Sequence, residues 1–292
     1  MGFYPQPNDW QCGPFALKHA LVMLGILVEE KQISKLAGTN WWYGTDEIQL
    51  GRAARQFQCE LKLIRRFDPE EARRELIAHL RHGYPTLLCM YEWSHWVTVV
   101  KAERGKFILM DSRDKAVLTI LSWKELKRHW VYHEEDELDR RAIQTIYDFH
   151  PVVPHFRVQT KAKFSLARAN YLRRPTNRTF SRLWDVYLAD LLNLCKPRTS
   201  RSTNVISLGE FMRRYENMIL DQVDLWHGWI VRSQGKRILN YIHFVADTYG
   251  LVIHDADEKR ALAGITAIMT LWAASEYGVS SVYQPVKRKS RR

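Results

Sequence analysis

The sequence predicts an α+β domain over residues 1–150 followed by an all-α domain over 151–292. Three observations predict it. Apolar residues recur at helical spacing up to Leu80. Short β-rich runs broken by turn residues then follow between Pro85 and Leu121. Beyond Thr179 long stretches return to helical periodicity. Helices grouped ahead of a run of strands imply a mostly antiparallel sheet.

The first helix carries Phe15, Leu17, Ala20, Leu21 and Leu24 on its stripe and stops at Gly25. Pro14 suits its first turn, where a missing N–H costs nothing. Cys12 then lies where the unpaired N–H groups and the positive end of the helix dipole favour an anion, which makes a thiolate nucleophile. A small buried residue at a helix start is the competing reading. Gly13 beside it permits close approach of a substrate backbone. Glu29 to Ala37 reads as a second helix, and Thr45 or Asp46 caps a third through Phe57. Cys59 to Ile64 alternates as a strand, and Pro69 to Leu80 is a charged amphipathic helix.

The strands expected next are Pro85–Met90, His95–Lys101, Phe107–Asp111 and Ala116–Leu121. A turn around Glu103-Arg104-Gly105 pairs the middle two so that His95 and Asp111 come opposite one another within a residue or two. A carboxylate there orients an imidazole and stabilises its protonated form. An ordinary hairpin with a His–Asp contact at its end is the alternative. Cys89, in an apolar strand, reads as core.

Net charge is +12. Residues 1–150 hold 21 basic and 21 acidic groups, so the excess lies entirely in residues 151–292, with 23 against 11. Cys12, Cys59, Cys89 and Cys195 show no CxxC spacing, which favours a reducing compartment. The first residues lack a signal-peptide core. The longest charge-free apolar run, Ala261–Ser275, is shorter than the ~20 residues needed to cross a bilayer. A cytoplasmic protein with no spanning segment is expected, and no cofactor is called for. His129 and His133 are four apart, but no third ligand makes a metal site of them.

Gln6, Cys12-Gly13, His95-Trp-Val-Thr-Val-Val and Asp111, sixteen residues after His95, together form a more specific pattern. With the Phe15–Gly25 helix they resemble the bacteriocin-processing, double-glycine-leader cysteine peptidases, a papain-like family. Gly44-Thr45, Gly83-Tyr-Pro85 and Leu121-Ser-Trp-Lys-Glu-Leu-Lys-Arg-His-Trp130 are softer echoes, and the resemblance covers about residues 4–133. It implies a papain-like α+β domain with Cys12 as nucleophile, His95 as general base and acid, and Asp111 orienting His95. The Gln6 amide and the Cys12 backbone N–H would form the oxyanion hole. Gly13, Trp10 and Trp96 are the candidate substrate contacts, and the substrate a peptide or protein.

Two positions depart from the family's pattern: Gln11 stands where it usually has Asp, and Ser112 where it has Pro. Its typical members are fused to membrane-spanning transporters with an ATPase. This sequence has no such span and no GxxxxGK[ST] loop, so processing of an exported precursor is not implied.

Pro151-Val-Val-Pro154 marks the expected domain boundary. Arg157 to Arg201 then holds eleven Lys/Arg against Asp185 and Asp190, interleaved with Tyr171, Phe180 and Trp184. A polyanion or nucleic acid is a candidate partner there; a solvated face, or a partner for acidic Glu134–Asp139, is the plainer reading. Four helices are expected, over Thr179–Cys195, Ser207–Val223, Leu225–Tyr249 and about Asp255–Tyr277, with a disordered basic tail at 286–292. The sequence thus predicts a cysteine peptidase, or a related amidase or isopeptidase, whose helical second domain restricts substrate. An inactive papain-like domain in a nucleic-acid-binding or adaptor protein is the alternative, and acyl transfer to an amine a third.

Overall fold

The periodic stretches of the first half fold as helices on both faces of one antiparallel sheet. The computed structural model describes residues 2–135, 143–158, 160–197, 204–227 and 230–278. The chain divides into two compact units, Met1–Tyr187 and Leu188–Arg292. The basic tail at 286–292 and Asp136–Asp139 of the acidic stretch lie outside the described residues.

In the first unit α1 (Cys12–Met23), α2 (Glu30–Ala37) and α3 (Glu47–Arg55) precede β1 (Cys59–Leu61), β2 (Ile64–Arg66) and α4 (Pro69–Arg81). Then come β3 (Thr86–Met90), β4 (His95–Glu103), β5 (Lys106–Met110), β6 (Leu118–Ser122), α5 (Trp123–Trp130), β7 (Tyr132–Glu135) and β8 (Ile143–Pro154). Side-chain caps start the helices: Asp46 for α3, Asp68 for α4 and Ser122 for α5, the first and last as full capping boxes.

The eight strands run in the order β1-β8-β3-β4-β5-β6, with β2 and β7 also on β8. The expected single strand at 59–64 is thus two short ones, each antiparallel to β8. Leu87 and Cys89 of β3 pack with α1, α2 and α3, whereas Leu88 and Met90 pack with α4 and α5 residues. Both faces of β3 are covered, which explains its unbroken apolar run. All twelve residues of α1 are buried, including Lys18 and His19. The Lys18 ammonium lies 3.3 Å from Glu30 and 3.2 Å from Asp185.

The expected boundary at 150 falls inside β8, whose Pro151 sits opposite Thr86 at the centre of the sheet. Proline cannot donate to a ladder, so two prolines argued against a strand here. The flanking groups are nonetheless satisfied: Val152 N–H donates to Pro85 O at 2.9 Å and Lys62 N–H to Pro151 O at 3.3 Å. The first unit continues through α6 (Leu166–Arg173) and α7 (Arg178–Arg182) into the start of α8 (Trp184–Cys195). Phe3 N–H donates to Ser181 O, and the Phe3 ring stacks on Trp184 at 5.3 Å.

The second unit is helical. It holds β9 (Val205–Ser207), α9 (Leu208–Arg214), α10 (Glu216–His227), α11 (Arg232–Tyr249), β10 (Val252–His254) and α12 (Glu258–Tyr277), and β9 and β10 pair as a small ribbon. The helix expected over Ser207–Val223 is capped by Ser207 as its sequence predicts, but breaks at Tyr215. Among the described residues no helix is long and apolar enough to cross a membrane.

Candidate active site

Cys12 is the first residue of α1, preceded by a single 3-10 turn, Asp9–Gln11. Two links set α1 beside β4. Thr98 Oγ1 donates to Ala16 O at 2.6 Å, and Cys12 and Trp96 line one cleft. The nucleophile candidate is thereby brought to the head of the strand that begins with His95.

The hairpin β4–β5 turns at Arg104 and Gly105, both at positive φ, the two-residue connection that matches strand twist. Thr98 pairs with Met110 and Val99 with Leu109, with a bulge between Val99 and Lys101. Extended by the same register, Asp111 falls opposite Val97, a diagonal neighbour of His95 on the same face. The side chains close the gap: His95 Nε2 lies 2.7 Å from Asp111 Oδ1. Arg113 N–H donates to the same oxygen at 2.9 Å.

The electrostatics follow from these contacts. Burial pushes the Cys12 thiol up, but the neighbouring His95 imidazolium and the backbone at Trp96 and Gly13 bring it below its ordinary value. Burial lowers the His95 imidazole, yet Asp111 and Cys12 outweigh it and hold His95 above its ordinary value. Asp111 is raised by burial and pulled lower overall by His95 and the Arg113 amide. An ionised carboxylate only accepts, so Nε2–H donates to Asp111 and Nδ1 is the nitrogen left for sulfur. Nδ1 is buried and has no nitrogen or oxygen partner. The other cysteines differ: burial pushes Cys59 up to about 11, and Cys89 and Cys195 up to about 12.

Gln6 joins the site through its partners. Its N–H donates to Ser112 O at 2.9 Å, and Ser112 Oγ donates to its Oε1. One Nε2–H then donates to Asn8 O at 2.8 Å. With the amide oxygen occupied, the amide can present only N–H elsewhere, and the second N–H has no partner among the described residues. Ser112, one of the departures from the family pattern, thereby ties Gln6 to the residue after Asp111.

Trp10 and Trp96 line a cleft of about 250 Å³ that also contains Cys12. Gly13 is placed differently from expectation. It is buried, and a Cβ there would stand 3.0 Å from Thr45 Cβ and 3.4 Å from Leu50, so its small size serves packing of α1.

Three further features went unread in the sequence. Trp41, Trp42 and Tyr43 line the same cleft and are 69, 66 and 85% exposed. Asn40 Oδ1 accepts from the N–H groups of Trp42 and Tyr43, fixing their loop. Tyr91, Glu92 and Trp93, just ahead of His95, all have φ between +54° and +58°. Tyr91 N–H to His129 O at 2.7 Å and the Trp93–Tyr132 stack at 3.7 Å hold that left-handed turn. The signal was available in part: consecutive aromatics before Gly44 are unusual for a loop tip.

No protein-family model and no curated protein matches the chain. Among solved structures it is similar to the peptidase domain of Streptococcus ComA, described as a bi-functional ABC transporter involved in a quorum sensing pathway. That match has 18% identity and a TM-score of 0.39, over 53% of this chain and 98% of that one. It is also similar to a double glycine motif protease from an AMS/PCAT transporter in complex with the leader peptide, at 19% identity and a TM-score of 0.37, over 50% and 89%. The peptidase domain of Streptococcus mutans ComA matches at 18% identity and a TM-score of 0.34, over 51% and 98%.

Proposed function

We propose that the chain is a cysteine peptidase in which Cys12, His95 and Asp111 act together. The observation that carries this reading is the 2.7 Å His95–Asp111 contact beside a thiol held below its ordinary pKa. Cys12 thiolate attacks the scissile carbonyl carbon, and electrons pass to the carbonyl oxygen. The second Nε2–H of Gln6 and backbone N–H at the start of α1 are the donors proposed for that oxyanion. Collapse breaks the C–N bond while His95 gives its Nδ1 proton to the leaving amine. The thioester is then hydrolysed by water whose proton returns to His95. Asp111 stays ionised and fixes the ring throughout.

Cys12→Ala should abolish hydrolysis of any peptide the purified protein turns over, with unchanged far-UV circular dichroism. Retained hydrolysis would end the reading. An acyl transferase would share the first half of the sequence, and product mass with added amine separates the two outcomes. We further propose that the second unit restricts substrate. The support is an exposed apolar pair on α10, Leu225 and Trp226. Trp226→Ser should then raise KM without lowering kcat.

A second reading has its own observation. Arg173, Arg174, Arg178 and Arg182 are exposed on and around α6 and α7, with no ion pair among the described residues. They support polyanion or nucleic-acid binding, which predicts salt-dependent association with an RNA or DNA oligonucleotide, weakened by changing all four to Gln.

A further inference from the structure

A second cavity, of about 290 Å³, adjoins the Cys12 cleft, and the two share Tyr43, Thr45, Trp93 and Trp96 as walls. Its remaining lining is chemically distinctive. Asp46, Glu47 and Asp148 bring three carboxylates and Arg65 one guanidinium. Arg65 is already committed: Nε and Nη2 donate to the two Asp148 oxygens at 2.9 and 2.7 Å, and its guanidinium lies 5.5 Å over Trp93. Asp46 keeps one oxygen on the Gln49 N–H. Among the described residues Glu47 makes no side-chain hydrogen bond or ion pair, so the exposed Asp46 and Glu47 give the cavity an acidic edge.

His150 lines this cavity and is only 3% exposed, and among the described residues no hydrogen bond is made to either ring nitrogen. Its ring stands edge-on to Trp96 at 5.3 Å. Burial pushes it down to about 4, so at neutral pH it is an uncharged ring offering one donor and one acceptor.

We propose that this cavity is a specificity pocket for a lysine or arginine side chain of the substrate, close to the scissile bond. The inference rests on the peptidase reading above and goes beyond it by naming the substrate class. The aliphatic stem lies against Leu63 and Trp96, and the cation meets the Tyr43 ring, the Glu47 carboxylate and the acceptor nitrogen of His150. An acidic side chain would instead face Asp46, Glu47 and Asp148 and is excluded by like charge.

The test uses the full chain and peptidyl vinyl sulfones carrying arginine, citrulline, norleucine or glutamate at the first or second residue from the electrophile. Inactivation at Cys12 should be several-fold faster with arginine than with citrulline, the scale of one exposed charge pair. Glu47→Gln should erase most of that ratio. Glu47→Lys should turn the preference toward glutamate. Equal rates for arginine and citrulline, or a preference that survives both substitutions, would overturn the pocket.

Iodoacetamide, which carries no side chain, separates the two levels. If it alkylates Cys12 in a His95-dependent way, failure of the arginine preference counts against the pocket alone. If it does not, the peptidase reading fails. The pocket is then judged by calorimetry of acetyl-Gly-Arg-Gly-amide against its citrulline twin on Cys12→Ala. Tighter binding of the arginine peptide supports it, and equal binding refutes it.

Discussion

Asp111→Asn is the sharpest perturbation of the site, because it removes a charge and leaves nearly the same shape. His95 is fully buried, and its Nε2 rests on Asp111 at 2.7 Å, the length of a charge-assisted bond. Such a bond contributes about 1.5–3 kcal/mol, and most of it favours the imidazolium over the neutral ring. The thiolate–imidazolium pair should therefore lose population by roughly 10- to 100-fold at neutral pH. The sign follows from the directions. The thiolate forms as pH rises through the lowered Cys12 pKa, and the imidazolium is lost as pH rises through the raised His95 pKa. Activity should trace a bell between them, and the substitution should pull the alkaline limb to lower pH. The assay is the second-order rate of Cys12 alkylation against pH, read by mass spectrometry of its tryptic peptide, beside kcat/KM for any peptide substrate. An unchanged alkaline limb with an unchanged neutral rate would refute the argument, since it would mean that Asp111 leaves the imidazolium indifferent.

The remaining expectations concern the framework of the site. Gln6→Ala should lower kcat by about 10²–10³ if its amide meets the oxyanion, and Ser112→Ala, which only frees the amide to rotate, should lower kcat several-fold with KM unchanged. Lys18→Met leaves Glu30 and Asp185 without their shared cation in a buried setting. Denaturant unfolding should show a loss of about 3–5 kcal/mol. Glu30 itself sits below its ordinary pKa, its rise on burial being outweighed by Tyr4 and Lys18. Its contribution is present above the unfolded carboxylate pKa and fades as pH falls through the folded one, so the wild type should lose stability on acidification and Lys18→Met should lose less. Gly13→Ala forces a Cβ to 3.0 Å from Thr45 and should cost about 1–3 kcal/mol in unfolding free energy.

Much of the site was legible because hairpins are arithmetic. A two-residue turn at Arg104-Gly105 brings His95 and Asp111 into near register, and the bulge between Val99 and Lys101, by shifting the pairing one residue, sets Asp111 opposite Val97 and so on the same face as His95. Cys12 was legible for a similar local reason: Pro14 and the stripe behind it place a helix start there. What stayed hidden was non-local. The twelve-residue β8 carries Pro151 and Pro154, which by local rule deny a central strand, and only its neighbours on both edges make it one. Gly13 read as room for substrate because its packing partner, Thr45, lies 32 positions away. His150 could not be singled out at all, since the burial of its ring is a property of the space around it. The helix breaks at Leu183 and Tyr215 interrupt stripes whose apolar pattern runs straight through them.

The direct measurement is competitive alkylation of the intact chain by iodoacetamide at pH 6 to 7, with each cysteine quantified separately. Three of the four thiols are held at about 11 to 12 by burial, and Cys12 alone is drawn down by its neighbours. Cys12 should react fastest by a wide margin, and His95→Ala should abolish that lead. A Cys12 no faster than Cys195, the one cysteine that is not fully buried, would contradict the account.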